Sequence, residues 1–384
     1  MDISAGTDAT QSKDTTTMPD DSGPAPSGLP TIIEETKRWS RGLVNTRGYC
    51  YRNAVLQVLF NQPELRELIE NGHTDCGLGQ YECVLCALQH LMNTYWSNSD
   101  DSLLRWDALR FHDTLEATVP ADHPLHRCFQ GDKGGYSNRF LGYILDQFQQ
   151  EEEQKGRSMM KTLLNFRQEV VWTCNDCQRQ FRHTENWDET AHYPNNLYII
   201  EPWRTAESLE AYFSDDSYQE EATLTGDGSA FWTKPSMARS RLELKKHGRP
   251  GSRKHGRYTC RKYIIEAPQV LLIYWLAWDY KKDSADRHAE TIDLRESTKD
   301  GVHLLYKLQS VTAYLDVPAH EIAAVRQPDG KQFKTLNDLV VTQSWPGDGN
   351  VMELLSPRVE MGSHGHPGVE DFHIDLLCYR KVSE

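Results

Sequence analysis

Cys50 opens the run CYRNAVLQVLFNQPEL, and its surroundings suit a nucleophile. Ala54, Val55, Val58 and Leu59 fall at the spacings of one helical face and Pro63 ends the pattern, so a helix of about three turns is predicted to start at Cys50. The unpaired N–H groups and positive dipole end of such a helix favour a thiolate over a thiol. Asn45, just upstream in a loop, offers an amide that can donate to a developing oxyanion. A thiolate also needs a histidine, held in one tautomer by a third polar group. The stretch from His320 to Asp338 supplies both. Pro328, Asp329 and Gly330 form a turn signal between two β-type runs. Folding there makes His320 and Asn337 near cross-strand neighbours, about 4.5–5.5 Å apart at Cβ. Asn337 then orients the imidazole, and Asp338 adds polar support. A cysteine beside an apolar helix also serves packing, so these residues alone leave both readings open.

The elements that must position them follow from periodicity. Val84, Leu85, Leu88, Leu91, Met92 and Tyr95 predict a second helix, and Phe140, Leu141, Ile144, Leu145 and Phe148 a third. After about residue 165 the texture changes to short β-type runs at 169–172, 196–200, 270–278, 304–315, 320–325, 339–341 and 373–379. Helices first and strands later predict an α+β protein rather than a βαβ repeat. Residues 1 to about 35 hold almost no large apolar side chains and are expected to be a disordered leader, with folding beginning near Trp39.

Composition narrows the class. The 384 residues include 42 Lys+Arg and 56 Asp+Glu, a net charge of −14, and 10 Trp, 17 Tyr and 11 Phe that furnish a core and exclude full disorder. The longest apolar run, Val270 to Trp278, falls short of the roughly 20 residues that span a bilayer, so no membrane partner is expected. The first thirty residues lack the basic start and apolar stretch of a secretory signal. A reducing interior is therefore expected, cytoplasmic or nuclear or both, where nine cysteines read as core residues, metal ligands or a nucleophile.

Several blocks together resemble a known family. GLVNTRGYCYRNAVLQVL, residues 42–59, is similar to the cysteine box of the ubiquitin-specific proteases, G-L-x-N-x-G-N-T-C-Y-x-N-x-x-L-Q; Gly42, Leu43, Asn45, Cys50, Tyr51, Asn53, Leu56 and Gln57 match. AHEIAAVRQPDGKQFKTLNDLVV resembles the histidine box, DLLCYRK the final strand, FLGYILDQF the helix after the Q-Q-D-A-x-E-F element, and EAPQVLLIYW the central strand. The blocks occur in family order. The resemblance implies a papain-like cysteine protease fold with thumb at about 40–165, fingers at about 166–265 and palm at about 266–384, gripping ubiquitin. It implies a cysteine-dependent deubiquitinase with Cys50 as nucleophile, His320 as base and acid, Asn337 as orienting residue, Asn45 as oxyanion donor and Asp338 in the second position of the N-D pair. A catalytically weak or inactive ubiquitin-binding scaffold of the same fold, or a protease for another ubiquitin-like modifier, are the alternatives. Arg47, Gly48 and Tyr49 depart from the pattern before the cysteine, Ala319 and Glu321 depart beside the histidine, and 134–139 replace the Q-Q-D-A element. Glu321 puts a carboxylate next to the base, which would raise the base's pKa.

Two cysteine groups have metal-like spacing. His73, Cys76, Cys83 and Cys86 suit a structural zinc, unless Cys83 and Cys86 are packing on the second helix. Cys174 and Cys177 form a C-x-x-C that only Cys260, with His247 or His255, would complete. The proposed chemistry requires no cofactor. Cys128 and Cys378 are expected in the core, and Trp275 and Trp278 in packing. Between Arg239 and Lys262 lie ten Lys or Arg and one acid, Glu243, which reads as a solvated basic insertion; without interleaved aromatics or a nucleic-acid motif, nucleic acid is not the expected partner.

Overall fold

Among the described residues the long helices all lie before residue 165 and the strands all follow it, as the two periodicities predict. The structure, a computed structural model, describes residues 40–130, 136–175, 177–186, 199–200, 209, 213, 258–274, 289–315, 320–327, 330, 332–338, 340–341, 345–346 and 372–382. The expected leader, Trp275, Trp278 and the basic insertion up to residue 257 lie outside them.

Helix α1 (Cys50–Asn61) starts where predicted, and ten of its 12 residues are buried, so neighbours pack around all its sides. Its buried polar residues are satisfied. The Gln57 amide donates to the Arg41 carbonyl at 2.9 Å and accepts from the Tyr95 hydroxyl at 2.7 Å, while the Asn53 amide donates to the Val44 carbonyl at 3.0 Å. One turn apart, the two amides staple the loop carrying Asn45 along α1. Pro63 ends α1 and also begins α2 (Pro63–Gly72), a first-turn position where its missing N–H costs nothing.

Helices α3 (Val84–Trp96), α4 (Asp101–Thr118), α5 (Ser137–Lys155) and α6 (Met159–Leu164) follow. Sequence periodicity overlooked α4, although Asp100 caps it by accepting from the Ser102 N–H at 3.2 Å and Leu104, Ala108, Phe111 and Leu115 form its buried face. Helix α5 extends the predicted 140–148 at both ends and stops at Gly156, whose φ of +64° suits only the left-handed cap glycine provides.

Strands β1 (Arg167–Cys174), β2 (Gln180–Asn186), β3 (Ile199–Ile200), β4 (Tyr258–Glu266), β5 (Val270–Tyr274) and β6 (Thr291–Asp293) precede β7 (Leu305–Leu315), β8 (His320–Arg326), β9 (Gln332–Asn337), β10 (Val340–Val341), β11 (Trp345–Pro346) and β12 (Phe372–Lys381). Of these, β2, β4, β6 and β11 were not foreseen. The order β2-β1-β4 makes a small antiparallel sheet, and β10-β9-β8-β7-β12-β5-β3 runs through the larger one. Strand β5 is buried on both faces: Val270, Leu272 and Tyr274 join the helical core, and Leu271 and Ile273 a second core behind the sheet. Ala54 on α1 packs against Ala323, Val325 and Leu336, small and branched residues that let the helix lie close across β8 and β9. That contact brings the helix start to the strand ends where the site forms.

Candidate active site

The loop into α1 is shaped by Asn45 and Gly48. The Asn45 side-chain oxygen accepts from the Tyr49 N–H at 2.8 Å, and Gly48 has a φ of +73°, a conformation a side chain would strain. Tyr49 is then the N-cap position and Cys50 the first helical residue, as predicted. Cys50 is half-buried. Burial pushes its thiol above the ordinary range and the Asp338 charge adds to this, while a hydrogen bond from the Glu321 backbone pulls the other way. The thiolate preference expected from the helix start is thus outweighed by desolvation in the resting protein. The Glu321 contact puts the sulfur at the end of β8 where His320 stands.

The β8–β9 hairpin forms, with the Gly330 N–H donating to the Gln327 carbonyl at 2.9 Å and Gly330 at φ +69°; Pro328 and Asp329 lie outside the described residues. Its register differs from the expected one. Ala323 pairs with Leu336 and Arg326 with Phe333, so His320 and Asn337 are offset by two residues rather than directly opposed. An even offset keeps both side chains on one face, and a diagonal pair remains within reach of a long side chain. His320 Nε2 lies 2.6 Å from Asn337 Oδ1. Because an amide oxygen only accepts, Nε2 is assigned the ring proton and Nδ1 the lone pair, a tautomer able to take a proton from a thiol.

Asp338, at φ +50°, turns the chain back toward α1, and its carbonyl accepts from the Leu43 N–H at 3.0 Å. Its carboxylate gathers the site: Oδ2 accepts from the Asn45 amide at 3.2 Å and lies 3.4 Å from His320 Nε2, while Oδ1 accepts from the Asn53 amide at 3.3 Å. Asn45, His320, Asn337 and Asp338 therefore meet in one polar cluster beside Cys50. Sequence reasoning assigned Asn53 only as a motif match and missed His112 of α4, whose Nε2 lies 3.3 Å from Asn53 Oδ1. Its place on the overlooked α4 periodicity was the available signal.

Glu321 is buried, and as strand neighbours it and His320 point to opposite faces. The Ser137 hydroxyl bonds the Glu321 carboxyl and also Asp375 at 3.0 Å. Burial, with the Asp375 charge adding, pushes the Glu321 carboxyl well above the usual carboxylate range. One hydroxyl hydrogen cannot serve two carboxylates, which agrees with a protonated Glu321. The expected carboxylate beside the base is thus a buried carboxyl, turned into the interior and held well above its usual range.

Away from this cluster, the ligand atoms of His73, Cys76, Cys83 and Cys86 all lie within 4.8 Å of one another. His73 Nε2 is 3.2 Å from Cys86 Sγ and 3.4 Å from Cys83 Sγ, and Nδ1 faces the Glu151 carboxylate at 3.3 Å. A carboxylate behind a ligand imidazole fixes its orientation. Asp75, at φ +57°, bends the loop between His73 and Cys76. Burial and the neighbouring Cys76 and Cys83 push the Cys86 thiol up to about 12, crowding that a cation would relieve. Three sulfurs and one imidazole suit a closed, tetrahedral zinc site.

The second predicted group fares differently. Cys174 is buried and Cys177 exposed, neither joins a metal-holding group among the described residues, and His247, His255 and the Cys260 side chain lie outside them. Cys378 is buried as expected, whereas Cys128 is only half-buried and its sulfur accepts from Arg139 at 3.2 Å, because it sits on a surface 3-10 turn at the edge of the helical core.

Residues 41–353 match the family model described as ubiquitin carboxyl-terminal hydrolase. No curated protein matches the chain. Among solved structures it is similar to a chain of the SAGA Ubp8/Sgf11/Sus1/Sgf73 DUB module bound to ubiquitin aldehyde, with 14% identity and a TM-score of 0.62, covering 91% of this chain and 71% of that one. A variant of that module bound to monoubiquitin gives 14% identity and a TM-score of 0.61, covering 89% and 69%. A yeast SAGA DUB module with an altered Sgf73 gives 14% and 0.56, covering 91% and 70%. At such identities the likeness is one of fold, a papain-like arrangement of helices and sheet.

Proposed function

The chain belongs to the ubiquitin carboxyl-terminal hydrolase family, with the fold of its ubiquitin-specific protease branch, and on that footing we propose that it is a cysteine-dependent deubiquitinase. Its bond is the isopeptide or peptide linkage at the C-terminal glycine of ubiquitin. The observation that carries the reading is His320 Nε2 held 2.6 Å from Asn337 Oδ1, with the Asp338 carboxylate joining that pair to the Asn45 loop that leads into Cys50.

In the proposed reaction, His320 Nδ1 takes the Cys50 proton as the sulfur attacks the glycine carbonyl. Proton transfer to the imidazole offsets the raised thiol pKa, because the charge forms only as the ion pair forms. The carbonyl oxygen becomes an oxyanion, which the second N–H of the Asn45 amide and backbone N–H groups stabilise; the first is committed to Asp338. The tetrahedral intermediate collapses, the C–N bond breaks, and His320 returns its proton to the departing amine. Water, deprotonated by His320, then attacks the thioester and releases the carboxylate and the thiol. Asn337 accepts from Nε2–H throughout and so keeps the ring in one orientation.

We assign the second site to a structural zinc held by His73, Cys76, Cys83 and Cys86, tying the α2–α3 loop to the start of α3. No reaction step involves it.

An electrophile-tipped ubiquitin is expected to label the full chain at Cys50, and Cys50→Ala to lose labelling and turnover while retaining ubiquitin binding. Hydrolysis persisting in Cys50→Ala, or an unlabelled parent that still binds ubiquitin, would refute the assignment. In parallel, probes built on other ubiquitin-like modifiers compete for Cys50 and rank the modifier.

A further inference from the structure

The polar chain behind Asp338 continues past Asn53. His112 is fully buried, its ring against Tyr49 with centroids 4.1 Å apart and edge-on to Phe111 at 5.4 Å. Its Nε2 faces Asn53 Oδ1 at 3.3 Å, and its Nδ1 has no hydrogen-bond partner among the described residues. Since Asn53 Oδ1 can only accept, Nε2 carries the ring proton. Burial and the nearby Arg52 cation hold the imidazole well below its ordinary pKa, so it remains a neutral ring with that single donor.

The consequence is directional. With its oxygen claimed by His112, the Asn53 amide must aim its NH2 at acceptors, the Val44 carbonyl at 3.0 Å and Asp338 Oδ1 at 3.3 Å. A flipped amide would set its oxygen against the Asp338 carboxylate and leave the His112 donor buried and unpaired. From the other Asp338 oxygen the order passes to Asn45 at 3.2 Å and to His320 Nε2 at 3.4 Å.

We propose that His112 and Asn53 are positioning residues of the active site: the His112 Nε2–H fixes the Asn53 amide, which fixes the Asp338 carboxylate and, through it, the Asn45 amide and the His320 ring. Neither touches the reacting atoms. The proposal rests on the roles assigned above to Cys50 and His320, not on which modifier is cleaved. A histidine that only filled space among Tyr49 and Phe111 would be replaced by phenylalanine with no effect on the chemistry.

The test is the rate of Cys50 alkylation by iodoacetamide in the full chain, resolved by mass spectrometry of its peptide between about pH 5 and pH 9. It reads the thiol–imidazole pair without any ubiquitin. Turnover of ubiquitin bearing a C-terminal fluorophore is measured beside it. His112→Phe and Asn53→Ala are each expected to lower the neutral-pH alkylation rate and kcat by about tenfold, the effect of roughly one hydrogen bond, with KM within about twofold. His112→Gln, which keeps an N–H donor, is expected to recover to within about threefold of the parent. Parent-like alkylation in His112→Phe overturns the proposal, as do equal losses in His112→Phe and His112→Gln. Should circular dichroism show His112→Phe unfolded, His112→Leu takes its place: a parent-like rate rejects the proposal, and a tenfold loss that His112→Gln does not share upholds it. A parent whose Cys50 alkylates with an imidazole-dependent profile yet cleaves no ubiquitin rejects the ubiquitin reading and leaves the positioning chain standing.

Discussion

Glu321 departs from its family's pattern beside the histidine, and its environment explains how that departure is accommodated. The side chain has left the cleft for a buried pocket in which Ser137, itself at a departing position, bonds it and Asp375. A protonated carboxyl there costs little, whereas an ionised one would be a buried charge facing Asp375 and Cys50. The sign of the pH effect follows. The folded protein keeps this proton well above 4.5, while an unfolded chain releases it near that value, so stability falls as pH rises from there toward the raised folded value. Glu321→Gln, which removes the titration and keeps the shape, is expected to flatten the decline in urea midpoint between about pH 5 and pH 9. Parallel curves for the two proteins would contradict a protonated Glu321.

Among the elements, the contact between α1 and the β8–β9 hairpin decides whether the sulfur and the imidazole share a site. It is made by small side chains, Ala54 against Ala323, with Val325 and Leu336 around them, all nearly inaccessible. Ala54→Leu would force the helix off the hairpin, costing about 1–3 kcal/mol and separating Cys50 from His320. The expected result is a lowered urea midpoint and a loss of turnover larger than that fall in stability explains, measured where the variant is still folded. A variant with lowered stability but parental kcat would show that the site does not depend on this spacing. The staple formed by Gln57 and Asn53 works in the same direction, holding the Asn45 loop on the helix that carries Cys50.

At the scale of the whole molecule, one core lies among the helices and against one side of β5 and β12, and another lies behind the large sheet. The His73–Cys86 group is a separate support at the edge of the helical core, joined to α5 through Glu151, which Lys155 holds at 2.5 Å. The purified chain is expected to carry one zinc. Its removal by a strong chelator, or Cys83→Ser with Cys86→Ser, is expected to lower Tm by about 5 °C or more while the folded fraction keeps its turnover. Metal analysis finding no zinc in a protein purified without chelator would reject this assignment.

The local features of this protein were readable from its residues because they are encoded locally. Apolar spacing after Cys50 placed the start of α1, Pro-Asp-Gly placed the hairpin turn, and alternation placed His320 and Asn337 on a common face. A two-residue error in register did no harm, because side-chain parity repeats every two residues. What the residues did not determine is which surfaces meet across long separations. Ser137 bonds Glu321 from 184 positions away, Asn53 reaches Asp338 across 285, and His112 belongs to a helix whose periodicity went unread. Burial then set the protonation of Glu321 and raised the Cys50 thiol, since desolvation depends on everything packed around a group rather than on its neighbours in sequence.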